Sequence, residues 1–227
     1  MFKNIQISKA DRTKESIRTT ATKIFQKKGF DSVTMRELAE ACDLSLGAFY
    51  YHYKSKEEVV LEIFNSSLIG HVTRTETYLE SAPKKLDKVM EWVCRDRFEE
   101  FKNERSMLRV LAQRIDPEDP LSPWHKSSDE IRQQSYLLFE KVVSHCLPNL
   151  EPKTNRLLAQ ALWLHHLVIL GYWSFDRSKN DMKTEAILVK ASSFWKGLPL
   201  ALKVPGVKSV LSSLFSPLFQ FIDSEEK

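Results

Sequence analysis

The stretch 32–58, SVTMRELAEACDLSLGAFYYHYKSKEE, decides the reading of this 227-residue chain. Thr34 is a good helix N-cap, and Glu37 three residues later completes a T-M-R-E capping box. The helix it starts runs to about Cys42, with Met35, Leu38, Ala39 and Cys42 on one buried face. Asp43 and Leu44 make the turn. Ser45 caps a second helix from Leu46 to about Tyr53, whose inward residues are Phe49 and Tyr53. Its other side is too polar and aromatic for ordinary surface. Two short helices about a tight turn, the second with such a face, predict a helix-turn-helix whose second helix lies in the DNA major groove.

The flanking segments support that motif. Ile17, Ala21, Ile24 and Phe25 form one face of a helix over 10–28, and Gly29 suits its left-handed C-terminal cap. Ser55 caps a fourth helix, with Glu57 and Glu58 in its favourable first turn. Residues 1–56 hold 11 Lys/Arg against 6 Asp/Glu, whereas 57–227 hold 23 against 24. The positive excess is confined to the quarter that would meet phosphate.

Composition bounds the rest. With 42% hydrophobic residues, 28% charged, six glycines and apolar positions at helical spacing, the chain reads as an all-α protein with a real core. Cys42, Cys94 and Cys146 are odd in number and lack any C-x-x-C spacing, which fits a reducing cytoplasm. The N-terminal MFKNIQISKADRTKES has no apolar signal region. Residues 157–175 carry no Asp, Glu, Lys or Arg. Gln160, His165 and His166 would sit mid-membrane there, so burial on two protein faces is the expectation instead.

Beyond about Ser81 helices are expected near 84–103, 105–115, 125–147, 153–177, 182–203 and 206–222, punctuated by prolines, with Pro199 and Pro217 kinking or shortening the last two. The reading divides the chain into a head, 1–56, and a body, 57–227, linked by a helix over about 56–80. No phosphate loop, G-x-S-x-G or H-E-x-x-H occurs, so no catalytic residue, cofactor or metal is expected. The acid pairs Glu99–Glu100 and Asp129–Glu130 read as solvated faces.

Over about residues 12–64 the chain closely resembles the TetR family of bacterial transcriptional regulators. The resemblance is carried by K-K-G-F, by V-T-M-R-E-L-A-E-A and by L-G-A-F-Y-Y-H-Y-K-S-K-E-E. It implies a homodimer with two DNA-binding heads and two ligand-binding bodies, joined through about 154–176 and 182–200. By the same resemblance Thr34 and Arg36 stand where the second helix meets a phosphate or groove edge. Ser45, Gly47 and Ala48 open the recognition helix, and Ala48 is placed for a thymine methyl. Tyr50 and His52 become phosphate contacts, Tyr51 a base reader, and Lys54 and Lys56 a backbone clamp. Asp43 stands where a turn glycine is common, and Leu46 replaces a residue that is often polar or basic.

In the body, Trp92, Tyr136, His165, His166 and Trp173 are candidates for an effector pocket, since each joins an apolar bulk to a hydrogen-bonding tip. The expected function is a repressor released from a palindromic DNA operator by a small, mostly apolar effector. The alternative is a DNA-bound factor whose body recruits a protein without any small ligand.

Overall fold

A computed structural model describes residues 9–211 and residue 213. The described residues are helical, with no strand among them. The order is α1 (Lys9–Lys28), α2 (Met35–Ala41), α3 (Leu46–His52), α4 (Lys56–Leu79), α5 (Leu86–Glu100), α6 (Arg105–Ala112), α7 (Asp129–Cys146), α8 (Pro152–Phe175), α9 (Met182–Lys196) and α10 (Leu198–Ala201). Short 3-10 turns precede α7 and α9. The long loop before α7 contains Pro117, Pro120 and Pro123.

The sequence signals locate these boundaries well. Gly29 ends α1 at φ +80 and its N–H reaches the Phe25 carbonyl at 2.9 Å. Asp43 takes the turn at φ +55, a left-handed conformation that Asp tolerates better than most residues. Pro152 opens α8 at a position where its missing N–H costs nothing. The expected helix 182–203 is shorter: α9 stops at Lys196, and Gly197 and Pro199 set off the single turn of α10. The second stretch assigned to the subunit seam, 182–200, is therefore one helix plus a break. Most of the amphipathic segment 206–222 lies outside the described residues.

Two apolar clusters form the core. The first joins α1–α4 to the near ends of α5, α6 and α8: Ile17, Phe25, Leu38 and Phe49 belong to the same cluster as Phe98, Phe101, Leu108 and Trp173. Phe64 of α4 stacks on Phe101 at 5.4 Å. The second cluster fills the far end, with Met90, Tyr136, Phe139, Leu162 and Trp195. Cys94 and Cys146 are buried free thiols, and burial raises the pKa of both. No helix of the described residues is long and apolar enough to cross a membrane. Gln160 in the uncharged run is buried in the protein interior.

Candidate nucleic-acid interface and internal cavity

The second helix of the motif is held from beneath and open above. Phe49 is 0% exposed and Tyr53 4%, their rings 6.2 Å apart, whereas Tyr51 is 82% exposed and Tyr50 41%. This split follows from helical spacing: positions 49 and 53 share a face, and 47, 48, 50 and 51 turn away from it. Ser45 Oγ accepts the Ala48 N–H at 3.1 Å, fixing the start of α3. A Cβ built on Gly47 would meet nothing within 4 Å, so that face is free for another molecule to approach. His52 is half-buried and lies edge-on to Tyr51 at 5.5 Å.

The start of α2 is equally well defined. The Thr34 hydroxyl accepts the Glu37 N–H at 3.2 Å, and Glu37 Oε2 accepts the Thr34 N–H at 2.9 Å, which is the full capping box. Lys28 donates to the other Glu37 oxygen at 2.7 Å. Hydrogen bonds from Lys28 and Thr34 push the Glu37 pKa down from 4.5 to about 2. A depressed carboxyl pKa stabilises the fold above the unfolded value, and that contribution fades as pH falls toward the folded value. Glu37→Gln is therefore expected to lower the thermal midpoint at pH 7, with the gap to wild type closing between pH 4.5 and about 2. Melting curves across that range check the sign.

Arg36 is exposed beside this cap. The two lysines after α3 are placed differently. Lys54 is exposed, its ammonium 2.8 Å from the Tyr50 carbonyl at the end of α3. Lys56 instead points inward: its ammonium donates to the Phe30 and Asp31 carbonyls at 2.9 and 3.3 Å and lies over the Phe30 ring. In the DNA-free protein its side chain braces the α1–α2 turn against α4.

The body contains an internal cavity of about 350 Å³, within the ordinary size range of small-molecule sites. It lies among α4, α5, α6, α7, α8 and the proline-rich loop. Phe64, Leu108, Trp124 and Trp163 supply much of its apolar wall, and its rim includes the exposed Ile115 and Val168. Of the five pocket candidates, the structure puts His166 in this wall. Trp92 stacks on Tyr78 at 4.0 Å outside it. Tyr136 packs behind Trp163, and His165 Nδ1 accepts from Trp195 Nε1 at 3.3 Å. Trp173 stacks on Phe98 and donates to Asp181 at 3.0 Å.

Sequence reasoning missed the two arginines of this wall, Arg97 and Arg132, which are 6% and 3% exposed. It also misread the acids behind them. Glu99 and Glu130 are exposed as expected, but Glu100 and Asp129 turn toward these guanidiniums. Arg97 Nη1 donates to Glu100 at 2.6 Å and to Ser67 Oγ of α4 at 2.7 Å. Arg74 of α4 holds both Asp96 and Glu100, and His71 Nδ1 donates to Asp96 at 2.7 Å. Burial raises the Asp96 carboxyl, but hydrogen bonds from His71 and Arg74 outweigh it and hold it far below its ordinary range. His166 stacks on His71 at 5.8 Å, and burial keeps its imidazole neutral. The only sequence signal for this network was helical spacing of charges at 71, 74, 96, 97 and 100.

Comparison with known proteins matches two parts of the chain. Residues 17–63 match the model of bacterial regulatory proteins of the tetR family, and residues 90–198 match a tetracyclin repressor-like C-terminal domain. The chain belongs to the TetR family. This regulator is 34% identical over 110 residues to the Bacillus subtilis transcriptional regulator YerO, a match covering 47% of the chain and 37% of that relative. The chain thus spans well under half the length of the first relatives it matches. It is 22% identical to the Shigella flexneri transcriptional regulator AcrR, over 78% of this chain and 85% of the other. Among solved structures, Thermus thermophilus FadR, a TetR-family repressor in complex with lauroyl-CoA, superposes with a TM-score of 0.63 at 18% identity. That match covers 84% of this chain and 95% of FadR. A Streptomyces coelicolor TetR-family regulator has a TM-score of 0.62 at 14% identity, covering 94% and 96%. The regulator therefore has the N-terminal helix-turn-helix and C-terminal helical body of these neighbours.

Proposed function

We propose that this TetR-family regulator is a repressor that leaves a palindromic operator when a small, mostly apolar molecule occupies the body. The observation that carries this reading is the apolar-walled cavity, because Leu61, Phe64 and Leu68 of α4 line it and α4 starts at Lys56, directly after the recognition helix. These residues lie within roughly 8–18 Å of the start of α4 along its axis, so a tilt at the cavity is passed directly to α3. A filled body would have favoured the alternative, recruitment of a protein partner. Two of the structural neighbours, both FadR proteins, are in complex with an acyl-CoA.

In this reading residues 1–56 form the DNA-binding head and 57–227 the body. The DNA-facing set is Thr34, Arg36, Ser45, Gly47, Ala48, Tyr50, Tyr51, His52 and Lys54, with Lys56 acting through its brace and its place at the N-terminus of α4. The regulator works as a homodimer. Its seam is formed by the outer faces of α8 and α9, which leave Val168, Tyr172, Phe175 and Phe194 exposed on the single chain. Exposed apolar side chains of this kind are what a subunit interface covers.

Selection from a random duplex pool is expected to return an inverted repeat with half-sites roughly 34–36 Å apart, or wider. With about six phosphates neutralised, the slope of log affinity against log salt should lie near −5. Compounds that fill the cavity, followed by tryptophan fluorescence, should weaken operator binding by about 5- to 150-fold. Cavity-filling compounds that all leave operator affinity unchanged would overturn the reading.

A further inference from the structure

The cavity is apolar but its polar atoms are one-sided. Its wall carries the guanidiniums of Arg97 and Arg132, the imidazole of His166 and the hydroxyls of Ser128 and Ser135, and among the described residues no carboxylate. The acids that balance the charge, Glu100, Asp96 and Asp129, stand behind the arginines. The wall therefore carries positive charge and no negative charge, while the Ser128 and Ser135 hydroxyls spend their protons on the Ser122 and Ile131 carbonyls. Three of these side chains also hold polar atoms with no partner: Nε of Arg97, Nε of Arg132 and Nε2 of His166. All three residues are more than nine-tenths buried. A buried guanidinium N–H is a donor only, and leaving it unpaired is unfavourable.

Resting on the ligand-cavity reading above, we infer that the effector carries an anionic, carboxylate-type head seated against Arg97 and His166. Its apolar tail runs past Phe64 and Trp163 toward the rim at Ile115 and Val168. A carboxylate supplies only acceptors, and a planar guanidinium meets it with a matching fork. A neutral chain gives the two arginines no anionic partner within the cavity, and an ammonium head is repelled by both. The same head would draw Arg97 from Ser67, the contact by which Arg97 ties α5 to α4, so recognition and release share one side chain.

Three probes of equal length separate head from tail: decanoate, 1-decanol and decylamine, each titrated below its micellar range and followed by tryptophan fluorescence. Decanoate is expected to bind at least tenfold more tightly than decanol, and decylamine most weakly. Arg97→Met should bring decanoate within threefold of decanol while leaving decanol unchanged. Because that variant strands Glu100, the double variant Arg97→Met/Glu100→Gln is tested beside it and should show the same loss. Decanol binding as tightly as decanoate would overturn the anionic head and leave the cavity reading standing. A decanoate preference that survives in the double variant would also overturn it. If none of the three probes binds, the cavity reading itself falls.

Discussion

Phe49→Ala is expected to abolish operator binding. The side chain is fully buried beneath α3, and truncating a buried phenylalanine costs about 3–5 kcal/mol. That is a large share of the roughly 5–15 kcal/mol that keeps a domain folded. The loss falls where the recognition helix is anchored, since α3 has seven residues and little stability of its own. Operator affinity should drop more than 100-fold in a fluorescence-anisotropy titration. All five tryptophans, at 92, 124, 163, 173 and 195, lie in the body, so their emission reports whether that part stays folded. Wild-type emission with lost DNA binding is the expected pair of results. Retained operator affinity would mean that α3 is not held from below by Phe49.

The second large effect comes from the opposite face of the same helix. Gly47→Glu places an acid in the first turn of α3, where the helix dipole favours it, and no neighbour lies within 4 Å of the new Cβ. Stability should stay within about 0.5 kcal/mol of wild type, as for most exposed substitutions. Operator affinity should nonetheless fall more than 100-fold, because in the proposed docking the acid faces phosphate. Tyr51→Ala, at a side chain 82% exposed, should be similarly silent in a melt yet lose about 1–3 kcal/mol of discrimination against operator variants. A Tyr51→Ala protein that keeps full discrimination removes Tyr51 from the reading set. The two pairs of measurements together separate residues that support the helix from those that meet DNA.

The head was legible in the sequence because its determinants are local. Thr34 with Glu37, Ser45 with Ala48 and Gly29 after Lys28 each act within a few residues, and the structure shows each contact. The inward pair Phe49 and Tyr53 followed from spacing alone. The cavity was illegible for the converse reason. Arg97 sits in C-R-D-R-F-E-E and Arg132 in D-E-I-R, runs that resemble any solvated helix face. Only the approach of α4 and α8 turns Arg97 inward, and only the proline-rich loop closes over Arg132, whose guanidinium reaches the Pro123 carbonyl at 2.9 Å. His166 was chosen, like Trp173, for an apolar bulk with a hydrogen-bonding tip, but Trp173 spends its tip on Asp181.

The core that runs from Phe49 through Phe64 to Phe98 and Trp173 bears on how such regulators can be rewired. The boundary proposed at residue 56 does not coincide with any gap in the packing. Phe25 and Phe30 rest near Met107 and Val110 of α6, and Asp31 is clasped by Arg114 at 2.9 Å. Transplanting a foreign head at residue 56 would set unmatched side chains against α6, spoiling the seam through which any shift of α4 must pass. A hybrid meant to keep this body while reading another operator should keep the α6-facing residues of α1 and the turn after it. Only the outward row of α3 and the exposed start of α2 should be exchanged.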